Sequence, residues 1–179
     1  MSADTIFTGK DEERTEKKED NSATIFIVGK VVHAAGGVQL DDQTRLRCRR
    51  AVREYYQRTK IIRRRRNDTV TNTRITNKVF LVIASFDRRE RERNEAIEQI
   101  KYCFTSCQHI PKEHIIEVRE KKLILEDIAT AIKDKKLPSN VIIIGEKPRF
   151  TWRNPLAAIL KKGGIVPNYL NNVFAGYAS

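Results

Sequence analysis

The sequence lacks the motifs that would assign a function directly. It contains no phosphate-binding P-loop, no His-Glu-x-x-His zinc motif and no Gly-x-Gly-x-x-Gly dinucleotide fingerprint. It also contains no Gly-x-Ser-x-Gly nucleophile elbow, the motif typical of α/β-hydrolases. Its apolar runs are far shorter than the roughly 18 residues of a membrane-spanning helix, so we expect no transmembrane segment.

Cysteine is scarce, and the three cysteines include no Cys-x-x-Cys pair. An odd number without such a pair argues against a disulfide framework. Cys103 and Cys107 are four residues apart on a predicted helix, which places them on one face. A zinc site would need further ligands, and the candidates His109 and His114 follow the predicted end of that helix. We therefore expect no metal site. We also expect all three cysteines, Cys48 included, to be buried free thiols in the reducing environment of the cytoplasm.

Negative charge is under-represented, and the formal net charge is +12 at pH 7. Residues 1–22 are the exception, because they hold more acids than bases and few apolar residues. That composition predicts a disordered charged tail, without the apolar segment of a signal peptide. Residues 23–179 are predicted to form a single, strongly basic domain. Such a charge favours an anionic partner, although it is equally compatible with high solubility alone.

Residues 24–58 predict the opening unit of an α/β fold. A short apolar strand ends at Gly29, and the loop after it contains Gly36 and Gly37. An amphipathic helix over 42–58 follows, with apolar residues along one side. Its other side forms a basic stripe, which we expect to face solvent. The arginines of this stripe are Arg45, Arg47, Arg49, Arg50 and Arg53.

The rest of the chain alternates strands with helices. Continuous apolar runs indicate strands covered on both faces, and a spacing of three and four residues indicates helices. The predicted strands are 79–84, 114–118, 141–144 and 165–166, and the predicted helices are 88–106, 123–133 and 155–162. This alternation predicts a Rossmann-like α/β fold, a three-layer sandwich with a mostly parallel sheet and right-handed crossovers.

Residues 59–78 interrupt the alternation with a polar, strongly basic segment. The absence of a hydrophobic period predicts a loop with a short extended piece. Four consecutive arginines form its centre: Arg63, Arg64, Arg65 and Arg66. Contact with a phosphate backbone is one interpretation, and a solvated loop is the other. Few aromatic residues lie between the arginines, so the stacking platform of single-strand binders is missing.

A ligand crevice is predicted at the carboxyl ends of the parallel strands. Backbone N–H groups at helix starts and arginine side chains would suit a phosphate or a carboxylate there. The candidate ligand-binding residues are Gly29, Gly36, Gly37, Glu146, Arg149 and Arg153. Ser85 and Asp87 follow a strand and are the candidate catalytic residues. The alternative is that the glycines only permit tight turns and the arginines are ordinary surface residues.

Several stretches also carry a resemblance to a known family. TIFIVGKVVHAAGGVQLDDQTRLRCRRAV combines a strand, a glycine-bearing loop and a helix with Arg45 and Arg49. VFLVIASFD is a strand that includes Ser85. Three later segments complete the set: IPKEHIIE, LEDIATAI with Glu126, and VIIIGEKPRFTWRNPLAAILKKGG with Arg149. In order and spacing, these segments resemble the YdcF/SanA-like family, catalogued as domain of unknown function 218.

The resemblance implies a Rossmann-like domain whose crevice residues include Arg45 and Glu126. Three family features are changed in this chain: the double glycine after Ser85, the threonine before Glu126 and the histidine near Arg149. A hydrolase or transferase and a catalytically degenerate, ligand-binding domain therefore both stay open.

Two hypotheses of function follow. In the first, a YdcF-like domain binds a nucleotide-like or phosphorylated small ligand in the crevice. In the second, a basic protein without catalysis binds nucleic acid through the Arg-rich segment 45–78. The sequence indicates no particular cofactor and no oligomeric state.

Overall fold

The structure, a computed structural model, describes part of the chain. It covers residues 21–59, 63–66, 69–72, 77–148 and 154–171, with the backbone alone at 63–66 and 69–72. The predicted disordered tail falls on residues 1–22, of which 1–20 lie outside these ranges.

Nine strands and four α-helices lie within the described residues, together with a short 3-10 helix at Lys112–His114. The strands are β1 (Ala23–Gly29), β2 (Val31–Ala34), β3 (Gly37–Leu40), β4 (Arg63–Arg66), β5 (Thr69–Asn72), β6 (Val79–Ser85), β7 (Ile115–Val118), β8 (Val141–Ile144) and β9 (Asn168–Leu170). The helices are α1 (Asp42–Thr59), α2 (Glu90–Tyr102), α3 (Lys121–Lys133) and α4 (Pro155–Lys162), and a π-helical turn, Cys103–Cys107, continues α2. None of these helices is both long and apolar enough to cross a membrane.

Five parallel strands form the central sheet, in the spatial order β7-β6-β1-β8-β9. The register between β1 and β6 runs from Ala23 opposite Val79 to Gly29 opposite Ser85. β8 pairs with the other side of β1, so β1 is the central strand. The order of the strands therefore reverses between β1 and β8.

Helices cover both faces of this sheet. Alternate side chains of β1 point to opposite faces, as the two-residue period of a strand requires. Ile25 belongs to a buried cluster with Ala51 of α1 and Ile97 of α2. Phe26 belongs to a second cluster, with Leu125 of α3 and Leu160 of α4. This arrangement confirms the predicted three-layer α/β sandwich with a parallel sheet.

The two loops predicted to follow the first strand and the first helix contain hairpins. β2 and β3 pair as an antiparallel hairpin in the segment predicted to be the loop after the first strand. β4 and β5 form a second antiparallel hairpin within the basic segment 59–78. Short hairpins were missed because their strands lack the long apolar runs that identify strands of a covered sheet.

The final strand lies later than predicted, at Asn168–Leu170 instead of 165–166. Ile165 instead belongs to the turn that caps the C-terminus of α4, because its N–H donates to the carbonyl of Leu160 at 2.9 Å. Gly164 has a φ of 75°, the left-handed conformation that this type of helix end requires. At the start of α4, the side chain of Asn154 accepts a hydrogen bond from the N–H of Ala157. Two specific caps therefore define this short helix.

An ion-pair network covers the outer edge of the sheet at β7. Glu117 of β7 lies 2.7 Å from Lys101 Nζ and 3.2 Å from Arg119 Nε. Arg119 also pairs with Glu98 of α2. Burial opposes the ionisation of Glu117, but the hydrogen bond from Lys101 and the charge of Arg119 outweigh it. The pKa of Glu117 consequently lies below its ordinary value.

We expect Glu117→Gln to lower the free energy of unfolding by no more than about 1 kcal/mol at neutral pH, because the network is partly exposed. A lowered pKa gives stability that is present above the ordinary glutamate pKa, about 4.3, and lost as the pH falls through the lowered value. The difference between variant and wild type should therefore shrink below about pH 4. Urea unfolding across this range measures it. The matched control is Glu113→Gln at an exposed position, and a difference that persists at low pH would contradict the assignment.

Candidate functional site

The reversal of strand order creates a crevice at one edge of the sheet. After β1 the chain continues to α1 on one face, and after β8 it continues to α4 on the other. The two connections diverge, and the space between the carboxyl ends of such strands is where open α/β sheets bind ligands. We call this space, between Gly29 of β1 and Gly145 of β8, the carboxyl-edge crevice.

Arg47 extends from α1 to the carboxyl-edge crevice. Its Nη1 donates to the carbonyl oxygen of Val28 at 2.9 Å. A Cβ placed on Gly145 would lie 3.6 Å from Arg47 Nε and 3.9 Å from Nη2. The guanidinium therefore lies between the ends of the two strands at which the order reverses.

The guanidinium of Arg47 has unused binding capacity. Its Nε is buried and has no hydrogen-bond partner within the described ranges. Among those same residues, no carboxylate lies within ion-pair distance of Arg47. A buried polar group without a partner is costly, and a cation without a counter-ion favours an anion close by.

Gly145 needs a conformation that only glycine adopts easily. Its φ is 141°, in the region that L side chains rarely occupy. Its N–H donates to the carbonyl of Leu170 at 2.7 Å, which joins the end of β8 to β9. The absence of a side chain at this position also leaves space beside the guanidinium of Arg47.

The loop between β1 and α1 is held by hydrogen bonds of Thr44. The Thr44 hydroxyl accepts from the N–H of Lys30 at 3.0 Å and donates to the Lys30 carbonyl at 3.3 Å. Asp41 Oδ1 accepts from the N–H of Thr44 at 2.7 Å, which caps the start of α1. These bonds fix the first turn of the helix that carries Arg47.

Gly29 allows close packing at the end of β1. A Cβ there would lie 2.4 Å from Ile100 Cδ1 and 3.3 Å from Thr44 Cγ2. Side chains of α1 and α2 both approach this position, so a methyl group would force the buried Ile100 side chain out of its place. Packing is therefore a sufficient physical reason for this glycine.

The glycine pair Gly36–Gly37 lies in the turn between β2 and β3. Gly37 has a φ of 110° and pairs with Ala34. Gln99 of α2 holds this hairpin, because its Nε2 donates to the carbonyl of Val38 at 2.8 Å. The hairpin packs against α2, the helix that covers β6, whereas β8 lies on the opposite side of β1. The pair serves the turn of this hairpin, and its predicted role in ligand binding stays a prediction.

Ser85 and Asp87 form a local hydrogen-bonded pair at the end of β6. The Ser85 hydroxyl donates to Asp87 Oδ2 at 2.9 Å, and Ser85 is only 1% exposed. The same oxygen accepts from the N–H of Val31 at 3.4 Å. The carboxylate of Asp87 thus connects the end of β6 to the start of β2. A catalytic role for the pair stays a prediction.

The other predicted ligand residues are dispersed. Arg45 is exposed and donates to Gln39 Oε1 at 3.2 Å, next to the β2–β3 hairpin. Glu126 is exposed on α3, and Glu146 is exposed directly after Gly145 at the crevice. Arg149 and Arg153 lie outside the described residues, as do the side chains of Arg63, Arg64, Arg65 and Arg66.

Arg47 was assigned by the sequence to the solvent-facing basic stripe, and this assignment is wrong. Its neighbours at helical spacing are Thr44, Cys48 and Ala51, all of which are buried. Positions 44, 47, 48 and 51 form the i, i+3, i+4, i+7 pattern of a buried helix face. The sequence therefore contained a signal that Arg47 lies on the buried face of the helix, at the same spacing as its buried neighbours.

The thiols differ in their environment. Cys48 is buried, and burial raises its pKa to about 12. Cys103 is intermediate, whereas Cys107 is exposed, so the expectation of buried thiols is wrong for Cys107. No group of three or more potential metal ligands occurs within the part of the chain that the structure describes.

We expect Gly29→Ala to lower the free energy of unfolding by about 1–3 kcal/mol, because the new methyl group overlaps Ile100 Cδ1. The cost should be smaller in an Ile100→Val background, which lacks that carbon. Chemical denaturation of the four proteins of this double-mutant cycle measures the coupling. Gly36→Ala is the control, since its Cβ would meet only the end of the Gln39 side chain, at 3.3 Å. An equal cost in both backgrounds would rule out the packing explanation.

Comparisons with known proteins do not assign the chain to a family. No family model, no curated protein and no solved structure matches it. Membership of the YdcF/SanA-like family stays a prediction from the sequence, and the geometry of the carboxyl-edge crevice is the basis for a proposal of function.

Proposed function

We propose that the protein binds a nucleotide-like or phosphorylated small ligand in the carboxyl-edge crevice. The observation that carries this proposal is the position of Arg47, whose guanidinium lies where the strand order reverses. Open α/β sheets bind their ligands at such reversals. A cation without a described counter-ion at this place favours an anionic group.

The chemistry of the residues around the crevice supports a phosphate or a carboxylate as that group. A guanidinium is planar and always charged, and it can donate two parallel hydrogen bonds to one anion. The bond from Nη1 to Val28 fixes the plane of the group, while Nε keeps a free donor among the described residues. Glu146, exposed beside the crevice, is suited to accept a hydrogen bond from a ligand hydroxyl.

A YdcF-like domain that binds its ligand without turnover agrees best with these residues. The buried hydroxyl of Ser85 donates to Asp87, and a nucleophile has to reach its substrate. The carboxylate of Asp87 is also engaged by the backbone of Val31. We therefore propose that Ser85 and Asp87 hold the loops at the carboxyl ends of the strands in place and take no part in a reaction.

We expect Arg47→Ala to abolish the thermal stabilisation caused by the best ligand in a screen of nucleotides and phosphosugars. Wild-type protein at a ligand concentration a hundred times the dissociation constant should gain about 2.7 kcal/mol of stability. Arg47→Lys should bind with reduced affinity, because a lysine keeps the charge but lacks the fork of donors.

The matched control for Arg47 is Arg45→Ala on the same helix. Arg45 is exposed and contacts Gln39, so its loss should leave ligand binding unchanged. Melting temperatures without ligand show whether each variant still folds. Equal loss of binding in the two variants, or full binding by Arg47→Ala, would overturn the proposal.

Arg149 and Arg153 follow β8 in the chain and are predicted to bind the same ligand. We expect the double variant Arg149→Ala, Arg153→Ala to weaken small-ligand binding and to spare binding of nucleic acid. Reversal of charge at Arg63, Arg64, Arg65 and Arg66 should have the opposite effect. Calorimetric titration of both variants with the ligand and with an RNA oligonucleotide compares them. Loss of both activities in either variant would contradict two separate sites.

A further inference from the structure

A basic cavity lies at the amino edge of the sheet, opposite the carboxyl-edge crevice. Its volume is about 530 Å³, and residues that precede β1, β6 and β8 line it together with the end of α3. Four of the lining residues are lysines, and no carboxylate from the described residues lines it. We call it the lysine cavity, after Lys78, Lys133, Lys135 and Lys136.

Tertiary structure assembles the lysine cavity from two distant parts of the chain. Lys78 directly precedes β6, whereas the other three lysines follow one another at the end of α3. All four are exposed, and none forms an ion pair within the described ranges. Cations near a helix C-terminus stabilise its dipole, which accounts for Lys133. That effect does not account for Lys78, which belongs to a different element.

Two residues that flank the segment containing the arginine-rich hairpin lie at this same edge. Asn77, shortly before β6, donates from Nδ2 to the carbonyl of Arg58 at 2.9 Å. Arg58 Nη1 in turn donates to the carbonyl of Asn21, immediately before β1, at 3.1 Å. The chain therefore leaves α1 for β4 and returns to β6 at the amino edge.

We infer that the lysine cavity, at the amino edge of the sheet, binds the phosphate backbone of a nucleic acid. Lysines, with serine and asparagine side chains, are typical contacts to phosphate and sugar. Ser139 and Asn140 line the cavity beside the lysines. Lysine is a flexible point charge, which suits contact with the backbone without reading the sequence.

The shape and the charge of the site favour nucleic acid over other polyanions. A flat lipid surface would not reach the floor of a concave site. Ser139 and Asn140 beside the lysines add neutral polar side chains of the kind that commonly contact phosphate and sugar, and competition by an acidic peptide tests whether charge alone suffices. The inference is independent of the proposed small ligand, because the two sites lie at opposite edges of the sheet.

The test compares two triple variants that remove equal charge. Lys133→Gln, Lys135→Gln, Lys136→Gln alters the lysine cavity, and Lys30→Gln, Lys122→Gln, Lys147→Gln alters exposed lysines at the carboxyl edge. Fluorescence anisotropy with a labelled RNA of about 20 nucleotides measures affinity over a range of salt concentrations. Each lysine that contacts a phosphate contributes to the slope of log affinity against log salt.

We expect the cavity variant to lose about two units of slope, because each phosphate contact to a single strand contributes about 0.7 unit, and at least about tenfold in affinity at 0.1 M salt. The control should keep the wild-type slope. Circular dichroism melts should change little, since all six side chains are exposed and the loss of Lys133 from the end of α3 costs no more than about 1 kcal/mol. Failure of the wild type to bind RNA, or equal losses in both variants, would overturn the inference. So would equally tight competition by poly-L-glutamate of matched charge, which would indicate an acidic peptide as partner.

Discussion

The pairing of β1 on both sides is the constraint on which the other elements depend. β1 pairs with β6 along its whole length and with β8 on the other side, and helices cover both faces. Such a strand cannot shift by one residue without moving each apolar side chain to the opposite face. Its carboxyl end is packed so closely that Gly29 has no space for a methyl group. Because β1 is held in one register, the end of β1 that borders the carboxyl-edge crevice has a defined position.

Hydrogen bonds also hold the loops at the carboxyl ends of β1 and β6 in place. Thr44 holds the backbone at Lys30, and Asp87 holds Ser85 and Val31. In a buried region such hydrogen bonds avoid the cost of unpaired polar groups. They also specify where α1 begins, and therefore where Arg47 enters the crevice. A preorganised cation loses little conformational freedom when an anion binds.

The two edges of the sheet differ in the kind of anion they suit. At the carboxyl edge, one partly buried guanidinium with an unused donor favours a small anion held in a defined geometry. At the amino edge, four exposed lysines give a diffuse field that salt screens strongly. Binding at the first edge should therefore resist salt, whereas binding at the second should weaken steeply as salt rises.

The sequence by itself determined the covered strands, the helices and the sandwich class, because apolar runs and helical periods are local signals. β8 and α4 lie where these signals predicted them. Only the tertiary structure decided the order β7-β6-β1-β8-β9, the two hairpins and the grouping of Lys78 with Lys133. Strand order depends on contacts between residues far apart in the chain, which no local period records. The helical period could have placed Arg47 on the buried face of α1, but its position beside Gly145 depends on β8 lying next to β1, which no local signal records.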